Sequence, residues 1–273
     1  MQINRQIFYP PEKILDIVKT KLKIFKDKNI EIDYITFVAD GEPTLDKNLG
    51  KTLEKLKIYK IKTAVITNAS LITDETVKDD LNKADWVSLK VDSIDKDIWK
   101  KINRPHKNLK FEEIKQNIVD FSEKYKGFLA TETMLIKDYN DKQDSIIKTI
   151  DFIEKINPDK SYISTPTRPP AEKQIKSADD EIIIYFYQNL TKKGLDVETL
   201  NYYEGDNFEY AGGLEREILN ILSVHPMKKQ AIKKLLEKEN ANWKLVKKLV
   251  DEKKINEIKY KDSFYYKIKN YDK

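Results

Sequence analysis

The sequence contains no cysteine in its 273 residues. Its own side chains therefore cannot form a disulfide, supply a thiol nucleophile or ligate a metal through thiolates. No apolar run approaches the roughly 20 residues that a membrane-spanning helix needs. The N-terminus also lacks the apolar core of a signal peptide. We therefore expect a cytoplasmic protein that has no membrane partner.

Arginine is also scarce, although the chain is basic. Lysine and arginine total 51 residues against 46 acidic ones, and only positions 5, 104, 168 and 216 are arginine. The formal net charge of +5 arises from interleaved charges, which are typical of a solvated helical surface. Arg104 and Arg168 precede prolines in two loops, where a planar guanidinium group suits recognition of a carboxylate or phosphate.

Short apolar runs alternate with helical patterns over the first 192 residues, which predicts an α/β fold with a parallel sheet. The runs are nearly continuous, as is typical of strands that are buried on both faces. Five strands are predicted, at 34–38, 63–67, 86–91, 128–136 and 161–165. Helices are predicted at 11–25, 49–56, 73–83, 95–102, 111–125, 145–156 and 179–192. The chain opens on a helix, so we expect that the first strand of the sheet is missing.

A different pattern follows the only double glycine, Gly212-Gly213. We predict a first domain over 1–205, a linker over 206–213 and a small domain over 214–273. Helices at 214–224, 228–238 and 242–253 and a hairpin over 255–268 resemble a winged helix. Lysines on its second and third helices suit phosphate contacts, so RNA or DNA is an expected partner, with protein docking as the alternative. They are Lys228, Lys229, Lys233, Lys234, Lys244, Lys247 and Lys248. Trp243 and the aromatic run 264–266 are expected in the core of this domain.

The most informative motif is Asp40-Gly41-Glu42-Pro43, which ends the first predicted strand. The carboxyl ends of parallel strands are where such folds bind ligands. Glu42 can accept hydrogen bonds from an ammonium group. Asn68 and Ser88, at the ends of the next two strands, can bond a diol, and Lys90 or Arg104 can pair with a carboxylate. Glu132 has a structural alternative, as a buried partner for a lysine of another strand.

Seven segments, in order, resemble the radical S-adenosylmethionine (SAM) superfamily. The resemblance is strongest to the branch that includes wyosine-type tRNA-modifying and organic-radical-activating proteins. The segments are 5–10, 41–45, 66–70, 87–92, 101–106, 132–136 and 164–172. The resemblance implies a partial (β/α)6 barrel that lacks its first strand. It also implies that SAM is bound by Gly41, Glu42, Pro43, Thr67, Asn68, Ser88, Lys90, Arg104, Glu132 and Thr165.

The chain departs from the family at three places. Asp40 stands where a small residue is usual, and Ala69 stands where a glycine would allow a positive φ. The Cys-x3-Cys-x2-Cys loop, which would lie just before Arg5 and hold a [4Fe–4S] cluster, is absent. The two histidines, His106 and His225, cannot replace it. We therefore expect that the chain as given cannot ligate the cluster and is inactive alone.

Two functions remain open. In the first, the chain is most of a radical SAM enzyme that generates a 5′-deoxyadenosyl radical for RNA modification or other chemistry. Its cluster loop would then be encoded upstream of Met1 or lie on a separate cysteine-bearing polypeptide. In the second, it is a non-catalytic barrel that binds nucleic acid or protein through the winged helix. A cysteine motif in frame upstream of Met1 would favour the first.

Overall fold

The computed structural model describes residues 2–38, 41–166, 172, 174–200, 214–224, 226–260 and 263–269. The chain divides into two compact units. Described residues of the first unit are 2–19, 32–38, 41–166 and 175–200, and the remainder belong to the second. Within these ranges no helix is long and apolar enough to cross a membrane. Asp40, the Arg168 loop at 167–170, His225 and the predicted linker lie outside the described residues.

The first unit alternates strands with helices. Its strands are β1 (Tyr34–Phe37), β2 (Lys62–Thr67), β3 (Trp86–Lys90), β4 (Phe128–Met134), β5 (Lys160–Ser164) and β6 (Val197–Thr199). Its helices are α2 (Leu49–Leu56), α3 (Glu75–Leu81), α4 (Lys96–Asn103), α5 (Phe111–Lys124), α6 (Gln143–Ile156) and α7 (Asp180–Lys192). Helix α1 (Pro11–Asp27) contributes residues to both units. Two 3-10 turns, Pro43–Leu45 and Lys57–Tyr59, complete the series. The predicted ends of the seven helices and five strands lie within two residues of the ends that the structure shows.

The six strands form one parallel sheet in the order β1-β2-β3-β4-β5-β6. The prediction of five strands was therefore wrong by one. The missed strand, β6, has only three residues, Val-Glu-Thr, which is too short to show an alternating pattern. It is recognisable only from its pairing, in which Ser161 of β5 lies opposite Val197. Among the described residues, β1 pairs only with β2.

The two faces of this sheet differ. Side chains alternate between faces along a strand, and one set, including Val65, Val87, Leu129 and Ile163, packs into the core against the helices. We call the opposite side the open face. It carries Ile66, Trp86, Ser88, Lys90, Glu132 and Tyr162, most of which are half-buried. Polar residues that reach a ligand must come from the open face or from the strand ends, because the other face is filled.

The second unit contains α8 (Leu214–Val224), β7 (Met227–Lys228), α9 (Lys229–Lys238), α10 (Lys244–Asp251), β8 (Ile255–Tyr260) and β9 (Ser263–Ile268). The three predicted helices and the hairpin are present, and the short β7 adds a third antiparallel strand beside β9. The ring of Trp243 meets Tyr266 edge-on, with centroids 5.7 Å apart. Tyr265 and Tyr266 are buried, whereas Phe264 is 41% exposed. The aromatic residues thus serve the core, apart from Phe264.

Candidate functional site

The turn after β1 depends on Gly41. Its φ is +149°, a conformation that side chains other than glycine rarely adopt. This turn brings Glu42 over the end of β2, and Pro43 then begins the 3-10 turn Pro43–Leu45. The sequence Gly-Glu-Pro therefore fixes where the Glu42 carboxylate lies.

The carboxylate of Glu42 is buried, with 8% of the residue exposed. Its Oε1 accepts hydrogen bonds from Thr44 N at 3.0 Å, Thr44 Oγ1 at 2.7 Å and Thr67 Oγ1 at 2.6 Å. Its Oε2 accepts one from Asn68 N at 2.8 Å. Glu42 therefore ties the end of β1 to the end of β2, and Oε2 has more remaining acceptor capacity than Oε1.

The loop after β2 has the strained backbone that the sequence suggested. Ala69 adopts φ +56°, a left-handed conformation that costs an alanine roughly 1–2 kcal/mol. Two local bonds hold it: Ala69 N donates to Thr67 Oγ1 at 3.0 Å, and Ser70 N donates to Asn68 Oδ1 at 2.9 Å. Thr67 thus links this loop to Glu42.

A second polar group lies on the next two strands. Lys90 Nζ is 3.4 Å from both Asp92 Oδ1 and Glu132 Oε1. Glu132 is the register partner of Lys90 on β4, and Asp92 follows Lys90 by two residues. Ser164 Oγ donates to the same Glu132 oxygen at 2.9 Å. Burial of Lys90 opposes its charge, but the carboxylates of Asp92 and Glu132 outweigh burial and raise its pKa. This group carries one positive and two negative charges when all three residues are ionised.

The fully buried Asp92 side chain joins three segments. Its Oδ1 accepts from Met134 N and its Oδ2 accepts from Asn103 Nδ2, both at 2.9 Å. Asn140 Nδ2 donates to Asp92 O at 2.7 Å and to Met134 O at 2.8 Å. Sequence reasoning assigned no role to Asp92 or Asn140. A polar residue just after the buried strand β3 was the available signal for Asp92, whereas Asn140 lies in the loop after β4. The partners of both residues are distant in sequence.

The remaining predicted site residues occupy different surroundings. Ser88 is buried on the open face, two positions before Lys90. Thr165 is buried just after β5, one residue beyond Ser164. Arg104 is exposed and caps the end of α4 in a left-handed conformation, with φ +46°. The structure therefore brings Glu42, Thr67 and Asn68 together, and separately Lys90 and Glu132.

These two groups are neighbours along the rim formed by the carboxyl ends of the strands. Thr67 of β2 is the register partner of Leu89 of β3. Asn68 and Lys90 are the next residues along these two chain segments and therefore lie side by side. Within the described residues, no cluster of three His, Cys, Asp or Glu side chains could hold a metal ion. With no cysteine in the chain, this donor set does not fit an iron–sulfur cluster.

Comparison with known proteins identifies the family. The profile described as the Radical SAM superfamily matches residues 2–153. The chain belongs to this superfamily. The family implies SAM and a [4Fe–4S] cluster as cofactors, although this chain supplies no thiolate to the cluster.

The chain is also similar to curated proteins. A UPF0026 protein of Methanocaldococcus jannaschii is 43% identical over 99% of this chain and 85% of its own length. A UPF0026 protein of Synechocystis is 33% identical over 63% of this chain, which spans 63% of that relative. Among solved structures, TYW1 with a lysine-pyruvate adduct bound is 19% identical. Its TM-score is 0.54, and the match covers 70% of this chain and 65% of that one. That likeness concerns the fold alone.

Proposed function

We propose that this chain binds SAM at the carboxyl-end rim and forms the cofactor-binding part of a radical SAM enzyme. The observation that carries the proposal is the adjacency of the Glu42–Asn68 group and the Lys90–Glu132 group on neighbouring strands. Both groups present hydrogen-bonding atoms, and both are backed by a filled core. The three thiolates that hold the iron–sulfur cluster, and the radical chemistry that the cluster supports, must come from cysteines that this chain does not carry.

The acceptors and donors of the rim match the groups of SAM. Glu42 Oε2 accepts one protein hydrogen bond and can accept another from the methionine ammonium. Asn68 and Ser88 suit the ribose hydroxyls. The ammonium of Lys90 is shared between two carboxylates, so it suits a polar ligand atom better than a third full negative charge. Gly41, Pro43, Thr67 and Thr165 shape this rim, Glu132 holds Lys90, and Arg104 remains the candidate for the SAM carboxylate.

A titration of the 15N-labelled full chain with SAM tests this proposal. We expect amide shifts at Gly41, Glu42, Asn68 and Lys90, with affinity weaker than micromolar because no iron chelates the methionine part. Glu132→Gln should reduce the shifts near Lys90, whereas the control Glu54→Gln, an exposed residue that pairs with Lys83 at 3.2 Å, should not. Shifts confined to other regions would contradict SAM binding at the rim.

Anaerobic reconstitution with iron and sulfide is the second test. The chain should remain colourless, and SAM-dependent radical chemistry should appear only when a cysteine-bearing segment is supplied, either joined upstream or as a separate polypeptide. A [4Fe–4S] cluster bound by the 273-residue chain alone would contradict our account of its ligands.

We further infer that the second unit is a winged helix that directs the enzyme to RNA. Its α9 and α10 expose Lys233, Lys244 and Lys247, which form no ion pair with any described residue. By contrast, Lys229 pairs with Glu257 at 3.5 Å and Lys248 pairs with Glu215 at 2.9 Å. We therefore expect these two lysines to contribute less to binding a phosphate backbone. Exposed lysines on adjacent helices support contacts to a phosphate backbone.

Fluorescence anisotropy with a labelled oligoribonucleotide tests this inference. The double variant Lys244→Gln/Lys247→Gln should bind more weakly, and the dependence of log K on log salt should fall by about one unit for each lost phosphate contact. Lys254→Gln is the matched control, because Lys254 pairs with Glu215 and Glu252 at 2.9 and 2.8 Å. Binding that does not depend on salt or on these lysines would instead favour a protein-docking module without catalysis.

A further inference from the structure

A cavity of about 290 Å³ lies in the second unit, between α10 and the antiparallel sheet. Trp243, Val246 and Val250 line it from one face of α10, since they recur at intervals of three and four residues. Glu257 of β8 and Tyr266 of β9 line it from the sheet. The volume is just below the range of roughly 300–1,000 Å³ that is typical of ligand sites. The cavity can therefore take one small group but not a whole cofactor.

The interior of this cavity is aromatic and aliphatic. Val246 and Tyr266 are buried, whereas Trp243 and Val250 are half-buried. Trp243 packs against the core of the unit on one part of its surface and lines the cavity with another. An indole ring that a cavity leaves accessible is a surface on which a planar group can stack.

The aromatic surface continues beyond the cavity to Phe264, which is 41% exposed. Lys229 links the two rings, because its Nζ lies 5.5 Å from the centroid of Trp243 and 5.1 Å from that of Phe264. The same ammonium lies 3.5 Å from Glu257 Oε2, and Glu257 also accepts a hydrogen bond from the Tyr266 hydroxyl. Lys229 and Glu257 are therefore already engaged with the protein.

Two further charged residues line the cavity and differ from this pair. Lys247 and Asp251 are exposed, and neither forms an ion pair with any residue that the structure describes. Together with Lys229 and Glu257 they give the lining two cations and two anions, which favours no net charge in the occupant. An uncharged group that carries both a hydrogen-bond donor and an acceptor can use Asp251 and Lys247 at once.

A nucleobase has this combination of properties. Its faces stack on aromatic rings, and its edge carries donors and acceptors. An exocyclic amino group suits a carboxylate acceptor such as Asp251. Lys247 is also one of the lysines that we assign to a phosphate backbone, so a strand bound there passes the mouth of the cavity. Bases of a single strand are free to turn outwards, which is how proteins most often recognise RNA by sequence.

We propose that this cavity receives an unpaired base of single-stranded RNA that carries an exocyclic amino group. The base packs against Trp243 and Val250, its amino group donates to Asp251, and a ring nitrogen accepts from Lys247. The proposal rests on RNA binding by the second unit, and it narrows the ligand to single strands, because a base paired within a duplex cannot enter the cavity.

The test is a titration of the 15N-labelled full chain with oligoadenylate. The indole N–H signal of Trp243, assigned by its loss in Trp243→Phe, and the amide of Val250 should shift along a saturable curve. An abasic ribose-phosphate oligomer of the same length should shift amides near Lys244 and leave the indole unchanged. Oligouridylate, whose base has no exocyclic amino group, should bind more weakly than oligoadenylate.

Two variants separate the cavity from the lysines. Val250→Phe fills the cavity and should weaken binding of oligoadenylate by roughly fivefold to tenfold, with the affinity for the abasic oligomer unchanged. Its control is Ile258→Phe, which alters a half-buried residue of β8 on the side opposite Glu257. Asp251→Asn changes an exposed side chain and should reduce the preference for oligoadenylate over oligouridylate. Glu237→Gln removes the same charge from an exposed position of α9 outside the cavity and should not.

A thermal melt of each variant checks that the second unit remains folded. If oligoadenylate and the abasic oligomer bind equally and the Trp243 indole does not shift, the base pocket is overturned and the lysine contacts stand. If neither oligomer shifts any signal of the second unit, RNA binding by this unit is overturned as well.

Discussion

The four hydrogen bonds to Glu42 predict that this residue supports the fold as much as it supports a ligand. In Glu42→Ala, four donors within 2.6–3.0 Å of the carboxylate lose their acceptor. A lost bond to a charged acceptor costs up to roughly 1.5–3 kcal/mol. Relaxation and entering water recover part of this, so we expect the free energy of unfolding to fall by about 3–5 kcal/mol.

The isosteric change Glu42→Gln isolates the polarity of the site. Glutamine keeps one carbonyl oxygen, but its NH2 group must face either Asn68 N–H or the three donors around Oε1. The NH2 group would then face a protein N–H or O–H donor instead of an acceptor, while the volume of the side chain would change little. We expect a loss of about 2 kcal/mol, smaller than the loss for alanine, because one side of the contact survives.

Urea unfolding followed by tryptophan fluorescence measures both values. Of the three tryptophans, Trp86 and Trp99 belong to the first unit and Trp243 to the second, so a Trp243→Phe background reports on the first unit. Glu54→Ala is the control, because an exposed ion pair contributes at most about 1 kcal/mol. If Glu42→Ala is no more destabilising than this control, the contacts around Glu42 do not stabilise the fold and our reasoning fails.

Three other changes follow from the same contacts. Lys90→Met leaves the buried Asp92 without its cation and should cost about 2–3 kcal/mol at neutral pH. Because the folded-state pKa of Lys90 is raised, its contribution is complete below the unfolded-state pKa and is lost as the pH rises through the folded-state value. The difference in unfolding free energy between wild type and variant should therefore shrink above pH 10.5, and a constant difference would contradict the assignment. Arg5→Lys should cost about 1–2 kcal/mol, since Arg5 donates to Thr44 O and Asp46 O, both at 2.9 Å; unchanged hydrogen exchange at Gln6 N would argue against this. Tyr125→Phe removes a buried bond to Ala84 O at 2.8 Å and should lower the unfolding free energy by about 1 kcal/mol, so a calorimetric melt identical to wild type would refute it.

The fold could be predicted from the sequence because its signals are local. Each of the five predicted strands is an apolar run next to an amphipathic helix, and periodicity within about ten residues suffices to detect such pairs. The sixth strand, Val197–Thr199, has no such signal, because its three residues gain their structure from pairing with β5. Prediction therefore failed where a strand depends on its neighbour rather than on its own composition.

The candidate site likewise has parts that could be predicted from the sequence and parts that could not. Glu42 was recognisable because the Gly-Glu-Pro turn is local and ends a strand. Its bonds to Thr67 and Asn68, and the role of Asp92, depend on the register between strands, which the sequence does not display. Asn140 contacts Asp92 from 48 positions away. The Ser145 hydroxyl is buried and has no hydrogen-bond partner among the described residues. It could not be predicted, since only the packing around it shows that it is buried.

Within the described part of the chain, the outer side of β1 has no strand partner, and this has a consequence for how the protein behaves in solution. A strand whose outer N–H and C=O groups are unused is a template for pairing with another chain. Tyr34 adds exposed apolar surface beside this edge, since 39% of the residue is accessible. Its four-residue length and the exposed acidic residues Glu31 and Asp33 just before it limit such pairing by brevity and repulsion. Because salt screens repulsion between exposed charges, concentrated protein should begin to self-associate through β1 as ionic strength rises.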